Sequence, residues 1–274
     1  MSSEKEVILV TGGNTGLGLE VVRALAGSSV PYEIIIGSRA TAKGEAAIST
    51  VKEEHPSTGS SFSTVEVDLE SDSSIEKAIE TLTSKYGYLD VLINNAGASF
   101  DQSIKSGALS IRAAFNKSWD VNVSGTHVLT TLAVPLLLKS KNPKLMFVTS
   151  GTATLAETEK MDTDLYKRLN SPPPAGWPKP EGPRPRYTAY RSSKTGLNML
   201  MREWYNVLLN DGVKVWAISP GFLATGLGGA GADKLKQMGA LDPSIGGEFI
   251  RDVVQGKRDA DVGKAIRRDM IQPW

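Results

Sequence analysis

The sequence predicts an α/β protein: one doubly wound parallel sheet with helices on both faces, three layers in a single domain. Three observations predict it. Short β-branched runs alternate with longer helical patterns over the first two thirds of the chain. A glycine-rich turn joins the first such run to the first helical pattern. The length of 274 residues suits one substantial domain and is short for two.

The elements follow in order. Val7–Val10, Glu33–Ile36, Phe62–Val67, Val91–Ile93, Leu145–Val148 and Val213–Ile218 read as strands. Gly18–Ala26, Ala42–Glu54, Ser73–Tyr86, Asn122–Lys139 and Ala189–Leu209 read as the helices between them. Ser71-Asp72-Ser73-Ser74, followed by Glu76 and Glu80, forms a helix start. Pro135 should kink the fourth helix or disturb one turn, because it lacks an N–H and crowds the preceding turn. Ala265–Ile271 can supply a last strand. Ser171–Arg186 carries seven prolines and cannot be helix or central strand. Lying inside the presumed site rather than between domains, it reads as a semi-rigid loop rather than a linker.

Composition excludes several functions. Hydrophobic content of 40%, charged content of 22% and a net charge of +1 are those of an ordinary soluble protein. Lys and Arg are dispersed, so neither a nucleic-acid footprint nor a membrane-surface patch is visible. There is no cysteine, which removes disulfide and thiol chemistry, and His55 and His127 are the only histidines, so no metal site is expected. The polar N-terminus is unlike a signal peptide, and the apolar run around Val128–Leu138 is too short to span a bilayer. A cytoplasmic protein is the expectation.

Ligands of such sheets sit beyond the carboxyl ends of the strands, and the chemically distinctive residues fall there. Thr11-Gly12-Gly13-Asn14-Thr15-Gly16-Leu17-Gly18 follows the first strand and opens the first helix, where close backbone approach and free N–H groups suit a phosphate. The second strand ends Gly37-Ser38-Arg39, without the carboxylate that would hold the ribose hydroxyls of NAD, and Glu33 lies too early to replace it. Ser38 and Arg39 therefore favour NADP(H). Tyr190 and Lys194 stand one turn apart on one helical face, backed by an apolar stripe of Leu197, Leu200, Met201, Trp204 and Leu208. A free tyrosine, with a pKa near ~10, is a poor proton donor at neutral pH. The nearby ammonium is expected to lower that value and make Tyr190 a usable general acid or base.

In this order the motifs resemble the short-chain dehydrogenase/reductase family, in its single-domain branch with a Rossmann-type sheet. Thr11–Gly18 is similar to its T-G-x-x-x-G-x-G loop, and Asp68 with Leu69 after the third strand to its adenine contact. Asn94-Asn95-Ala96-Gly97 is similar to its N-N-A-G, which braces the sheet and lines the cofactor. Asn122 and Ser150 fall at its catalytic asparagine and serine. Pro220-Gly221-Phe222-Leu223-Ala224-Thr225 is similar to P-G-x-x-x-T, whose threonine reaches the nicotinamide carboxamide. The resemblance implies an NADP(H)-dependent oxidoreductase. Tyr190 would exchange a proton with the substrate oxygen, Ser150 would stabilise that oxygen, Lys194 would hold the nicotinamide ribose, and Asn122 would place a relay water. The blander readings are a capping Ser150, a backbone-satisfying Asn122 and an Asp68 that caps the helix near Ser71.

Two departures stand out. From Ser150 to Tyr190 is 40 residues, where about a dozen is common in the family, so an insertion covers about 155–187. Some carbonyl reductases of the family carry one there, over the helices through which relatives form tetramers. A monomer is the hypothesis this raises, with a homo-oligomer the alternative. The C-terminus lacks the family's usual Asp-Gly-Gly ending, and Trp274 is read as cover for the sheet edge. Insertion and tail resemble those of fungal members acting on secondary metabolites. The glycine-rich stretch 222–241 reads as a substrate lid. Phe100, Trp177, Phe222 and Leu223 as liners point to an apolar or aromatic ketone or aldehyde, or its alcohol. A hydroxysteroid or acyl-carrier substrate is a second possibility, and an NADP(H)-sensing regulatory protein a third.

Overall fold

Seven parallel strands form the sheet, in the order β3-β2-β1-β4-β5-β6-β7. The structure is a computed structural model that describes residues 5–179, 187–229 and 231–274. The strands are β1 (Glu6–Thr11), β2 (Tyr32–Ser38), β3 (Ser61–Glu66), β4 (Val91–Asn94), β5 (Lys144–Val148), β6 (Lys214–Ile218) and β7 (Ala265–Ile266). The order reverses between β1 and β4, and the crevice of a doubly wound sheet opens at such a reversal.

The central strands are apolar almost without interruption because both their faces are covered. Ile34, Ile35 and Ile36 of β2 are all buried. One face packs against α1 (Gly16–Ala26), α2 (Thr41–Glu54) and α10 (Pro243–Val254), and the other against α3 (Asp72–Lys85), α6 (Thr126–Leu137) and α8 (Thr188–Leu208). Each fully buried Ile or Leu in these layers contributes about 1.5–3 kcal/mol. The remaining helices are α4 (Asp101–Lys105), α5 (Ile111–Trp119), α7 (Asp164–Asn170) and α9 (Ala232–Gln237).

Ser71 caps α3 as expected, its hydroxyl accepting from the Ser74 N–H at 3.3 Å. The expected helix Asn122–Lys139 is part of a longer run: α5, a π-helical turn over Asp120–Gly125, then α6. The π turn is one distortion of this run. Pro135 lies in the last turn of α6 and offers no N–H to the carbonyl of Thr131. The last strand is shorter than expected. After Ile266 the chain folds back, Arg267 N–H bonding Met270 O at 2.8 Å, and Ile271 makes a single bridge to Ile266. Helices α4, α5, α7, α9 and α10 are absent from the sequence reading. For α10 a signal existed, because Asp242 caps it, Pro243 occupies its first turn, and Phe249, Ile250 and Val253 are its buried stripe.

The proline-rich stretch forms neither helix nor strand over 171–179, and its residues 180–186 lie outside the described part of the chain. No helix among the described residues is long and apolar enough to cross a membrane.

Candidate active site

The site begins at the β1–β4 reversal. Thr11, buried at the end of β1, spends its hydroxyl on β4: it accepts from Asn95 N–H (3.0 Å) and Ala96 N–H (2.9 Å) and reaches Ile93 O at 3.3 Å. The Asn95 amide donates to Thr11 O at 2.7 Å. These bonds brace the Asn94–Gly97 segment against the glycine loop. Beyond them the loop turns on Gly12 and Gly16, both at positive φ (64° and 53°), and Thr15 leads into α1. Gly18 sits so close beneath the turn that a Cβ there would lie 2.2 Å from Gly12 O. The first turn of α1 can approach the loop only without a side chain at this position.

An open groove of about 440 Å³ runs beside this turn, lined among others by Asn14, Thr15, Lys43 and Thr50. Lys43 on α2 is a cation the sequence reading passed over. Ser38 is buried and holds the end of β2 by donating to Ala40 O at 2.6 Å, while Arg39 is exposed beside it. Glu33 accepts from Tyr86 OH at 2.8 Å and is thereby engaged elsewhere. Asp68 accepts from Glu70 N–H at 3.1 Å, Leu69 is buried, and the cap of α3 falls to Ser71.

The π turn presents Asn122, fully buried. Its amide is spent on the protein: Oδ1 accepts from Ala98 N–H (2.8 Å), and Nδ2 donates to Ala98 O (2.8 Å) and Ser193 Oγ (2.9 Å). The side chain thus pins the irregular segment following Gly97 to the catalytic-helix candidate α8. Gly97 lies bare between these groups. A Cβ there would stand 2.9 Å from Asn122 Oδ1 and 3.0 Å from Lys194 Nζ. A glycine turn held open at a helix N-terminus, a bare backbone at Gly97 and a buried ammonium beyond it fit an elongated phosphate-bearing dinucleotide.

Tyr190 and Lys194 share one face of α8, and Ser150 follows β5 at the cap of a 3-10 turn over Gly151–Ala153. Lys194 is buried, donates to Val148 O at 2.8 Å, and stands 5.9 Å from the centre of the Tyr190 ring. Burial pulls its pKa down to about 8. Tyr190 goes the other way from the expectation: burial pushes its phenol up to about 12, and the Ser150 hydroxyl opposes this only in part. The ammonium is directed at the Val148 carbonyl, so desolvation decides the sign. At neutral pH the phenol is fully protonated and the lysine is charged.

One buried group here left no trace in sequence. Asp101 accepts from the first N–H groups of α8, Ala189 at 2.9 Å and Tyr190 at 3.0 Å. The helix carrying Tyr190 is therefore capped by a carboxylate 88 residues away, where Tyr187 at its own N-cap position offers nothing.

The segment after β6 is divided. Pro220, Leu223 and Ala224 are buried, Gly221 (φ 110°) and Phe222 are exposed, and Thr225 is half-buried. Stretch 222–241 closes on itself: Ala224 N–H bonds Leu241 O at 2.9 Å and Leu241 N–H bonds Phe222 O at 2.8 Å. Ala224, Leu235 and Ala240 form its own small core. Of the expected liners, Leu223 packs inward, Phe100 lies under Lys117, and Trp177 stands 88% exposed, so no wall forms from these four. Trp274 does more than cover an edge. Its main-chain oxygen accepts from Ala156 N–H (2.8 Å) and Thr154 Oγ1 (3.1 Å).

The profile of the family described as short chain dehydrogenase matches residues 6–160 and 180–235. The chain is 45% identical to the short-chain dehydrogenase/reductase eupG of Phoma sp., over 98% of each chain. It is 42% identical to the short-chain dehydrogenase/reductase tropE of Talaromyces stipitatus, over 99% of each. Among solved structures, an NADPH-bound carbonyl reductase from chicken fatty liver superposes with a TM-score of 0.75 at 22% identity, covering 99% of this chain and 100% of that one.

Proposed function

The chain belongs to the short-chain dehydrogenase/reductase family, and from that premise we propose that it is an NADP(H)-dependent carbonyl reductase of ketones or aldehydes. The observation that carries this reading is the convergence of Ser150, Tyr190 and Lys194 beyond the carboxyl ends of β4 and β5, beside the glycine turn.

The nicotinamide, when bound, supplies the hydride. The rest is the work of this chain. Gly12–Gly18 and the first turn of α1 would take the pyrophosphate, with Asn14 and Thr15 at the groove. Arg39, and Lys43 at the groove, would meet a 2′-phosphate, with Ser38 fixing the backbone between β2 and α2. Asp68 and Leu69 would border the adenine. Asn95, Ala96 and Gly97 would line the ribose, and Pro220, Gly221, Leu223 and Thr225 the nicotinamide. Tyr190 donates its phenolic proton to the substrate oxygen, and Ser150 hydrogen-bonds the same oxygen as charge develops on it. A phenol held near 12 keeps its proton at neutral pH and is a weaker acid than free tyrosine, so its transfer would rely on the more basic alkoxide that forms as the carbonyl is reduced. Lys194 would hold the ribose and return the proton. Because the Asn122 amide is spent, a relay water would rest on main-chain carbonyls of the π turn.

The test is NADPH consumption by the purified protein against aliphatic, aromatic and polycyclic ketones and aldehydes, with NADH and Tyr190→Phe alongside. Turnover that prefers NADPH and vanishes in Tyr190→Phe, with NADPH binding kept, is the expected result. Tight NADPH binding with no carbonyl reduced, and a biological output that survives Tyr190→Phe, would instead identify a cofactor sensor.

A further inference from the structure

The turn that follows Ser150 is held in an unusual way. Four successive carbonyls, those of Ser150, Gly151, Thr152 and Ala153, each accept from a side chain. Thr195 Oγ1 reaches Ala153 O at 2.9 Å and Arg191 Nε reaches Thr152 O at 3.0 Å. Both come from α8, and each directly follows a site residue, Tyr190 or Lys194. The other two donors come from the far end of the chain. Arg267 Nη2 reaches Gly151 O at 3.2 Å and Gln272 Nε2 reaches Ser150 O at 3.1 Å.

The two tail donors are fixed in turn. Arg267 Nε donates to Gln272 Oε1 at 3.0 Å, so the pair acts as a unit, and Gln272 is 1% exposed. The same guanidinium forms a bidentate pair with Glu157, through Nη1 at 3.0 Å and through Nη2. Glu157 is buried and belongs to the insertion, where Tyr166 OH donates to it at 2.6 Å and the Asn170 amide holds its main-chain oxygen at 2.7 Å. Burial alone would raise the Glu157 carboxyl, but the bonds from Arg267 and Tyr166 outweigh it and keep the group ionised. A bidentate pair of this kind fixes direction as well as distance.

We propose that Arg267 and Gln272 are positioning residues for Ser150, locked by Glu157 of the insertion, so that tail and insertion together hold the serine hydroxyl in register with Tyr190. The proposal rests on the carbonyl-reductase reading. On one side the turn is tied to the helix bearing Tyr190; on the other the clamp prevents it from rotating away.

The experiment compares Gln272→Met, Arg267→Lys and Glu157→Gln with wild type on whichever carbonyl of the panel wild type reduces. Arg23→Met serves as control, since it removes a remote cation paired with Glu20 and Glu54. The readouts are kcat, KM for the carbonyl, NADPH affinity, and hydrogen exchange of residues 149–156. Misplacement by a fraction of an ångström lowers kcat on the order of 10–100-fold. We expect that loss in Gln272→Met and Arg267→Lys, with NADPH affinity within about twofold, faster exchange confined to the serine turn, and no kcat loss in Arg23→Met. Unchanged kcat in folded Gln272→Met, or equal losses in Arg23→Met, would overturn the proposal. If wild type reduces no carbonyl, it is the functional reading that fails, and the clamp is then judged by exchange: protection of the turn unchanged in Gln272→Met and Arg267→Lys overturns it.

Discussion

Lys194 should make the cofactor-free protein less stable at neutral pH than its charge-free counterpart, and the penalty should disappear as pH rises. Its pKa falls from 10.5 to about 8 on folding because the ammonium leaves water for a buried site with one carbonyl partner. A depression of that size corresponds to a cost on the order of 3 kcal/mol at pH 7. Between the folded and unfolded values the unfolded chain binds more protons, so stability must rise with pH in that window. Lys194→Met removes the titration while keeping most of the apolar stem. Urea unfolding of both proteins without cofactor, at intervals from about pH 7 to about pH 9.5, gives the difference curve, in which all other groups cancel. Relative to the variant, wild type should gain about 2 kcal/mol across that range. The scan stops there because Tyr190 acts oppositely. Its raised pKa, about 12, means the native state holds the extra proton above pH 10, so stability conferred by Tyr190 is lost as pH climbs further. Parallel curves for wild type and Lys194→Met would refute the reasoning, for they would mean the ammonium is as well solvated inside as outside.

Further outcomes follow from the same geometry. Asp101→Asn leaves one acceptor for the two N–H groups at the start of α8, and should cost about 1–2 kcal/mol. With an unfolding entropy on the order of 600 cal/mol/K for a chain of this length, that lowers Tm by about 2–4 °C in a thermal scan; an unshifted Tm would show the cap to be dispensable. Gly18→Ala forces a Cβ within 2.2 Å of Gly12 O and should weaken NADPH at least tenfold in a fluorescence titration while the far-ultraviolet spectrum stays native. Arg39→Ala should weaken NADPH about tenfold or more and leave NADH nearly unchanged, and Lys43→Ala should act in the same direction more weakly; equal effects on both cofactors would remove the 2′-phosphate contact.

The strand-end motifs were legible because each is a short string whose meaning is local. Thr11–Gly18 must follow a strand and open a helix, and it does; Tyr190 and Lys194 need only helical spacing to share a face. What sequence hid was set by partners far along the chain. Asp101 lies in a stretch that the sequence reading assigned to no element, and its role shows only once α8 is folded against it. Arg267 and Gln272 lie in a tail whose pattern suggests a strand, and only the turn after Ile266 brings them to Ser150. The tyrosine pKa was misjudged for a related reason. Helical spacing gives proximity to Lys194, but the direction of the ammonium, toward Val148 O, is a tertiary fact. Helix α10 is different, because its Asp-Pro start and apolar stripe were readable and were passed over.

The closed base of stretch 222–241 has a consequence for how such a protein can diverge. Two main-chain bonds between Phe222–Ala224 and Leu241 already join the ends, so chain length between them is thermodynamically cheap: doubling a flexible loop costs only about 0.6 kcal/mol. The residues from 226 to 240 can be lengthened, shortened or exchanged as a cassette while Tyr190 and Lys194 on α8 and Ser150 after β5 keep their places. On the proposed reading, new substrates can then be sampled by grafting that cassette between relatives, with Ser150, Tyr190 and Lys194 left unchanged.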